Sequence, residues 1–174
     1  MKKILFILFV AVSCFLLSCN EKVADSDGMS DPAKKNLEAF QVVDKAFQTG
    51  DISMIDSVVA SDFVDHTPKG DYNRDSLKAM ITKMKNAGTM KSELKKALAD
   101  DEYVMGWMRW TGTTDGSLPD MPAGPYDMSG VEVVRFKDGK AVEHWAFMDA
   151  SVMMKMMSSM QMPAAPPTAT DKRQ

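Results

Sequence analysis

Apolar residues in the first half of the chain recur at the three- and four-residue intervals of an amphipathic helix. The first helical segment begins at Asp31, the expected capping residue, continues through Pro32 and ends at Gly50. A short second helix follows, and Asn73 caps a third. The apolar positions of the three helices are Leu37, Phe40, Val43 and Phe47, then Ile52, Ile55 and Val58, then Leu77, Met80, Ile81 and Met84.

In the second half of the chain the apolar spacing changes to two, the period of a strand. The segment Met90–Leu98 has helix propensity but also alternates, and we predict a strand there. Lys137–Lys140 contains Asp138-Gly139, a hairpin turn that needs positive φ. Further strands are predicted at residues 63–66, 103–111, 131–136 and 141–148, a turn at 67–70, a loop at 114–126 and a terminal helix at 151–160.

This order of elements predicts the fold class. Helices followed by strands give an α+β arrangement without the βαβ repetition of a doubly wound nucleotide fold. No glycine-rich phosphate loop accompanies it. We predict one domain over residues 32–161, a cone-shaped barrel in which a strongly curved antiparallel sheet packs on the N-terminal helices. The mouth of such a cone suits a small apolar molecule.

The chain begins with a segment that has the proportions of a secretory signal. Two lysines precede an apolar run over residues 4–17, which is too short to span a bilayer comfortably. Leu16-Leu17-Ser18-Cys19 resembles the lipobox of bacterial lipoproteins, which implies cleavage before Cys19 and its acylation. We therefore expect a signal peptide at residues 1–18 and a lipidated tether at 19–31. A plain signal peptide with an incidental cysteine is the alternative.

The same motif predicts a location. A lipid at Cys19 anchors the protein to a membrane of the bacterial cell envelope, on the periplasmic or the outer-membrane face. At the other end, residues 162–174 are rich in proline and alanine and are predicted to be a disordered tail.

Charge and cysteine content exclude several kinds of partner and site. The formal net charge is −3 and both signs are interspersed, so no basic stripe is available for nucleic acid. The only cysteines are Cys14 and Cys19, which leaves the folded part without a disulfide, a cysteine-based zinc site or a thiol nucleophile.

Several blocks of the sequence, in order and spacing, resemble the SnoaL-like branch of the nuclear transport factor 2 superfamily. The first block is Thr49-Gly50-Asp51-Ile52 followed by residues 62–68, DFVDHTP, and the second is Trp110-Thr111-Gly112-Thr113. The third and most specific block is residues 135–145, RFKDGKAVEHW, followed by Asp149. The resemblance spans roughly residues 34–160.

The resemblance implies a fold, a chemistry and an assembly. Members of this family are cone-shaped α+β barrels, frequently dimeric, so a homodimer is expected. Characterised members use a pocket Asp or His as acid or base on ketone, ester or epoxide substrates, without metal or organic cofactor. This sequence departs from the family where a histidine often stands at Thr114, and where ester cyclases carry an acidic residue at Ala146.

The candidate catalytic residues follow from the family blocks. The resemblance points to Asp149 as base, with His66 assisting, and to His144 as a further pocket residue. Alternation along the last strand puts His144 on one face and Asp149 on the other, unless a bulge intervenes. Asp149 could equally cap the terminal helix. Candidate substrate-binding residues are Trp110, Trp145, Tyr126 and Phe63, whose alternative role is to fill the core.

Two alternatives to an acid–base enzyme stay open. The same cone could hold an apolar ligand or a partner without catalysis. The chain also has 17 methionines, six of them in Met153–Met162, and soft thioether ligands select Cu(I). Methionine is also a pliable core filler, and packing would explain the same cluster.

Overall fold

The computed structural model describes residues 28–118, 121–151 and 154. Three helices and six strands are found in this part of the chain. The helices are α1 (Asp31–Thr49), α2 (Ile55–Val58) and α3 (Arg74–Ala87). The strands are β1 (Val59–Thr67), β2 (Gly70–Asn73), β3 (Gly88–Ala99), β4 (Tyr103–Thr114), β5 (Gly124–Lys137) and β6 (Lys140–Met148).

The helix boundaries follow local capping chemistry. Ser30, and not Asp31 as predicted, caps α1: its side chain accepts a hydrogen bond from the Ala33 N–H. Gly50 ends the helix in the left-handed region, at φ 79°, with its N–H bonded to the Ala46 carbonyl. Asn73 caps α3 as predicted, accepting from the Ser76 N–H.

The strand predictions are mostly confirmed. The ambiguous segment at 90–98 lies within β3, and the hairpin turn between β5 and β6 has positive φ at Asp138 and Gly139. Two predictions were wrong. Residues 70–73 form a strand, β2, that pairs with the end of β1, and β5 begins at Gly124, so the predicted loop shrinks to residues 115–123.

All six strands form one curved sheet in the order β2-β1-β6-β5-β4-β3. The pairings are antiparallel except for β1 with β6, which run parallel. That pairing is a departure from the fully antiparallel sheet predicted from sequence. Register shifts in β1, β3 and between β5 and β6 mark bulges, and bulges bend a sheet. The bend turns the inner face into a cup that α1 and α3 close.

Apolar side chains from the helices and the inner sheet face form the core. Phe40 of α1 and Ile81 of α3 pack toward Met108 on β4, which is fully buried. The buried Asn36 side chain donates hydrogen bonds to the carbonyls of Asp100 and Asp101, and so ties α1 to the β3–β4 turn. The helices are thereby fixed over the cup, which leaves its interior as the place for a site.

Several sequence predictions fall outside the described residues. These are the signal peptide with Cys19, most of the tether, the tail at 162–174 and nearly all of the terminal helix with its methionine cluster. Among the residues that the structure does describe, no helix is long and apolar enough to cross a membrane.

Candidate functional site

The interior of the cup is a cavity of about 230 Å³ between the helices and the inner sheet face. Its wall is mainly apolar, as expected where a curved sheet meets amphipathic helices. Six aromatic side chains contribute to the wall: Phe40, Phe47, Phe63, Trp110, Tyr126 and Phe136. Three carboxyl groups and one imidazole also face it, and they are the chemically distinctive part of the site: Asp44, Asp65, Glu132 and His144.

His144 and Asp65 form a hydrogen-bonded pair on the cavity wall. The parallel register of β1 and β6 puts the two residues side by side, and His144 Nδ1 lies 2.7 Å from Asp65 Oδ1. Burial of the imidazole opposes its protonation, but the bond to Asp65 and the charges of Glu132 and Asp65 together raise the pKa of His144 above 6.5. The carboxylate therefore holds the ring orientation and favours the imidazolium.

Glu132 is the most perturbed acid in the site. It lies on β5 diagonally across from His144, two residues before Val134, which is directly opposite His144. Desolvation by burial raises the pKa of Glu132 to about 7, with His144 opposing the rise and Asp44 and Asp65 adding to it. In the described part of the chain, no hydrogen bond to the Glu132 carboxyl is found.

Asp44 brings a third carboxyl to the cavity from α1. Its Oδ2 accepts a hydrogen bond of 2.6 Å from the Ser92 hydroxyl and one of 3.1 Å from the Gln48 amide. Burial raises the pKa of Asp44, while the bonds from Ser92 and Gln48 oppose the rise. Two neutral donors therefore hold this carboxyl in place on the cavity wall.

Four of the seven residues predicted for the site line the cavity: His144, Trp110, Tyr126 and Phe63. Trp110 and Phe63 are also part of the buried core, so these two aromatic side chains both line the cavity and fill the core. The Tyr126 hydroxyl donates to the Thr89 carbonyl at 2.9 Å, which fixes that ring against β3.

His66 and Trp145 lie on the opposite face of the sheet. Their rings stack with centroids 4.8 Å apart and planes inclined by 20°. His66 Nδ1 lies 3.0 Å from Asp71 Oδ1, and Nε2 lies 3.6 Å from a Glu143 carboxylate oxygen. Because Glu143 and Trp145 alternate with His144 along β6, this outer cluster is separated from the cavity by the sheet itself.

Asp149 also lies outside the cavity lining. It is exposed at the end of β6, and its carboxylate accepts a hydrogen bond of 2.7 Å from the Ser151 N–H. This is the capping arrangement that the sequence left open as the alternative to a base. Alternation on β6 thus separated His144 from Asp149 correctly, and no bulge brings them together.

Three cavity acids were not singled out from the sequence. Asp44 lies four residues after Phe40 and three before Phe47, so helical spacing does place it on the apolar face. Asp65 lies two residues after Phe63 and shares its face. No comparable signal existed for Glu132, because both faces of its strand are apolar around it.

The described residues contain no group of three or more His, Cys, Asp or Glu side chains arranged to hold a metal ion. The cavity acids are accordingly spread over α1, β1 and β5.

Comparison with known proteins identifies the type of domain. The SnoaL-like domain family matches residues 40–144. The solved structure of TsrD from Streptomyces laurentii superposes with a TM-score of 0.61 at 17% identity, over 74% of this chain and 96% of that chain. IdmH, a proposed polyketide cyclase from Streptomyces antibioticus, gives 0.58 at 19% identity, over 71% and 98%.

An LEH-like epoxide hydrolase from M. tuberculosis superposes with a TM-score of 0.59 at 13% identity, over 73% of this chain and 92% of that chain. At such identities these structures share the fold. No curated protein sequence matches the chain.

Proposed function

Because this chain belongs to the SnoaL-like family, we propose that its cavity binds a small, mainly apolar molecule and transfers a proton on it. The observation that carries the proposal is an unbonded carboxyl, Glu132, beside a hydrogen-bonded Asp65–His144 pair on an apolar wall. Glu132 replaces Asp149 as the proposed base, since the Asp149 carboxylate accepts a hydrogen bond from the Ser151 N–H outside the cavity. The solved cyclase-like and hydrolase-like structures of this fold are consistent with such chemistry.

Glu132 suits the role of base because its pKa lies close to neutral pH. A carboxyl with a pKa of about 7 is present in both protonation states under working conditions, so it can accept a proton and return it. On a ketone, the C–H bond next to the carbonyl breaks, an O–H bond forms on Glu132, and the electron pair moves to the carbonyl oxygen.

His144 is positioned to stabilise the resulting enolate. Its Nδ1 donates to Asp65, so Nε2 is the ring nitrogen that would meet a ligand in the cavity. An imidazolium N–H next to the enolate oxygen supplies a charge-assisted hydrogen bond. Asp65 then acts as a positioning residue that holds the ring and its charge.

Exchange of deuterium from solvent into 2-indanone, a small ketone, tests this proposal by proton NMR. The protein should accelerate exchange, and Glu132→Gln should lower the acceleration by about 100-fold or more. Glu38→Gln, the same change at an exposed position of α1, and Asp149→Asn should leave it unchanged. Exchange lost in Asp149→Asn but kept in Glu132→Gln would return the role of base to Asp149. A protein that binds 2-indanone without exchange would have a holding role instead.

The assembly proposed is a homodimer formed through the outer face of the sheet. Five large apolar side chains on neighbouring strands are exposed there and form what we call the outer apolar face: Leu98, Met105, Trp107, Val131 and Phe147, with exposures of 38% to 63%. Strand register places them next to one another, with Trp107 opposite Val131 and Val131 opposite Phe147. Such a face is self-complementary about a two-fold axis, so a second copy is the natural occupant.

The location proposed is a membrane of the bacterial cell envelope, with the domain anchored by lipid at Cys19. Support comes from the sequence: a basic start, an apolar run and a lipobox-like motif. The first helix of the domain, α1, begins at Asp31, which is 12 residues after Cys19. The intervening tether would let the cavity work in the aqueous phase beside the membrane.

A further inference from the structure

The charges that face the cavity are strongly biased toward acid. Three carboxyl groups and one imidazole contribute to the wall, and no lysine or arginine of the described residues does. Asp65 is matched by His144, its hydrogen-bonded partner. Neither Asp44 nor Glu132 has a hydrogen-bonded cation: the donors to Asp44 are a neutral hydroxyl and a neutral amide, and the His144 imidazole, whose charge acts on Glu132, is bonded to Asp65.

Glu132 is the group that points to a ligand. Its side chain is half-buried on the cavity wall, and its carboxyl has no hydrogen-bond partner in residues 28–118, 121–151 and 154. Burying a carboxyl without a partner destabilises a fold, so the arrangement is one that a bound group would relieve. The carboxyl borders the cavity together with aromatic rings from α1, β1, β4 and β5.

We propose that the ligand of this cavity carries one protonated amine, held by the Glu132 carboxylate, on a compact aromatic or alicyclic body. This inference rests on the proposed function, since it takes the same cavity to be the binding site. An ammonium group supplies both the charge and the donors that Glu132 lacks, and the surrounding aromatic faces favour a cation as well. An anionic ligand would meet Asp44 and Glu132 at close range and is disfavoured.

The cavity also limits the size of the ligand. Its volume of about 230 Å³ is below the range of about 300 to 1,000 Å³ usual for ligand pockets. A molecule with one ring and a short amine arm fits this space.

Binding of an amine should strengthen as the pH rises from 6 to 8. The titratable groups facing Glu132 are Asp44 from α1, Asp65 from β1, Tyr126 from β5 and His144 from β6, while α3, β3 and β4 present apolar side chains to the cavity. Over this interval Glu132 gains negative charge, because its pKa is about 7. That change favours a cation, and the amine itself stays protonated.

Isothermal titration calorimetry with three probes of similar shape tests the proposal on the full chain: 2-phenylethylamine, 2-phenylethanol and phenylacetate. We expect the amine to bind about tenfold more tightly than the alcohol at pH 8, and phenylacetate to bind most weakly. Glu132→Gln should remove the preference for the amine while binding of the alcohol persists. The matched variant Glu38→Gln should keep the preference.

Each of the other outcomes is decisive. Equal or tighter binding of the alcohol would overturn the amine inference and leave the cavity as a binding site. An amine preference that survives in Glu132→Gln would overturn the role given to Glu132. If none of the three probes binds, the cavity is not a site for small apolar molecules, and the proposed function fails together with the inference.

Discussion

His144 Nδ1 lies 2.7 Å from Asp65 Oδ1 across the parallel pairing of β1 with β6, between residues 79 positions apart in the chain. The pair joins the two strands on the cavity side, where both side chains are only about one-fifth exposed. A neighbouring pair, His66 with Asp71, occupies the other face of β1 at 3.0 Å. The fold therefore carries one His–Asp pair on the cavity wall and one on the outer face of the sheet, so a variant of one pair can serve as the control for the other.

Replacing Asp65 by asparagine should lower the pKa of His144, because the variant loses both the charged acceptor and its Coulombic attraction. A proton NMR titration of the imidazole signals measures this directly. The control is Asp71→Asn, which changes the surroundings of His66 alone and should leave the His144 titration in place. An unchanged His144 pKa in Asp65→Asn would contradict the assigned pairing.

The same variant should be less stable, by about 2 kcal/mol at pH 6. The folded-state pKa of His144 is raised above 6.5, so the stability from this ionic hydrogen bond is fully present below pH 6.5. It is lost as the pH rises through the raised pKa. Urea denaturation at pH 6 and pH 9 should therefore show the larger difference between Asp65→Asn and the unmodified chain at pH 6.

Placing a charge in the outer apolar face should dissociate the proposed dimer. Trp107 is 55% exposed and Phe147 is 60% exposed, so an aspartate at either position can be solvated in a monomer but not in a packed interface. Light scattering coupled to size exclusion should show a dimer for the unmodified chain and a monomer for Trp107→Asp.

The matched control is Met54→Asp, because Met54 is 53% exposed but lies at the start of α2, away from this face. It should remain dimeric. A monomer for the unmodified chain at every concentration would refute the proposed dimer.

Replacing Cys19 by serine should release the protein from the membrane fraction of a bacterial host, because serine offers no thiol for diacylglyceryl transfer. Mass spectrometry of the N-terminus should find acylated Cys19 in the unmodified chain. Cys14→Ser is the matched control, since Cys14 lies within the apolar run. If Cys19→Ser stays in the membrane and the N-terminus is not acylated, the anchor is not a lipid at this residue.

The sequence predicts which residues of β6 face the cavity better than it predicts those of β5, for a physical reason. On β6, polar and apolar positions differ enough for period two to separate His144 from Trp145, and the structure confirms that separation. On β5, Val134 and Phe136 share the face of Glu132, while Val131 and Val133 lie on the opposite face. With apolar residues on both faces, alternation cannot say which way Glu132 points.

The Asp65–His144 contact was hidden for a different reason. Its two residues come from the first and the last strand in the sequence. The sheet brings them together only because β6 inserts between β1 and β5. Period and propensity describe segments and not their long-range register. Asp44 was accessible in principle, since helical spacing places it between Phe40 and Phe47 on the face that closes the cup.

Glu132→Gln should stabilise the fold at high pH, although it should sharply lower the rate of the proposed proton transfer. Burial raises the pKa of Glu132 from 4.5 to about 7. The folded state therefore binds this proton more tightly than the unfolded chain does, and its stability falls as the pH rises from 4.5 toward 7. Glutamine stays neutral, so the free energy of unfolding of the variant should rise by about 2 to 3 kcal/mol at pH 8 and change little at pH 4.

Urea denaturation at the two pH values measures the difference. The exposed control Glu38→Gln should change the free energy of unfolding by less than about 0.5 kcal/mol at either pH. Equal effects of Glu132→Gln at both pH values would mean that Glu132 titrates normally. The reason to treat it as the acid–base group would then be gone.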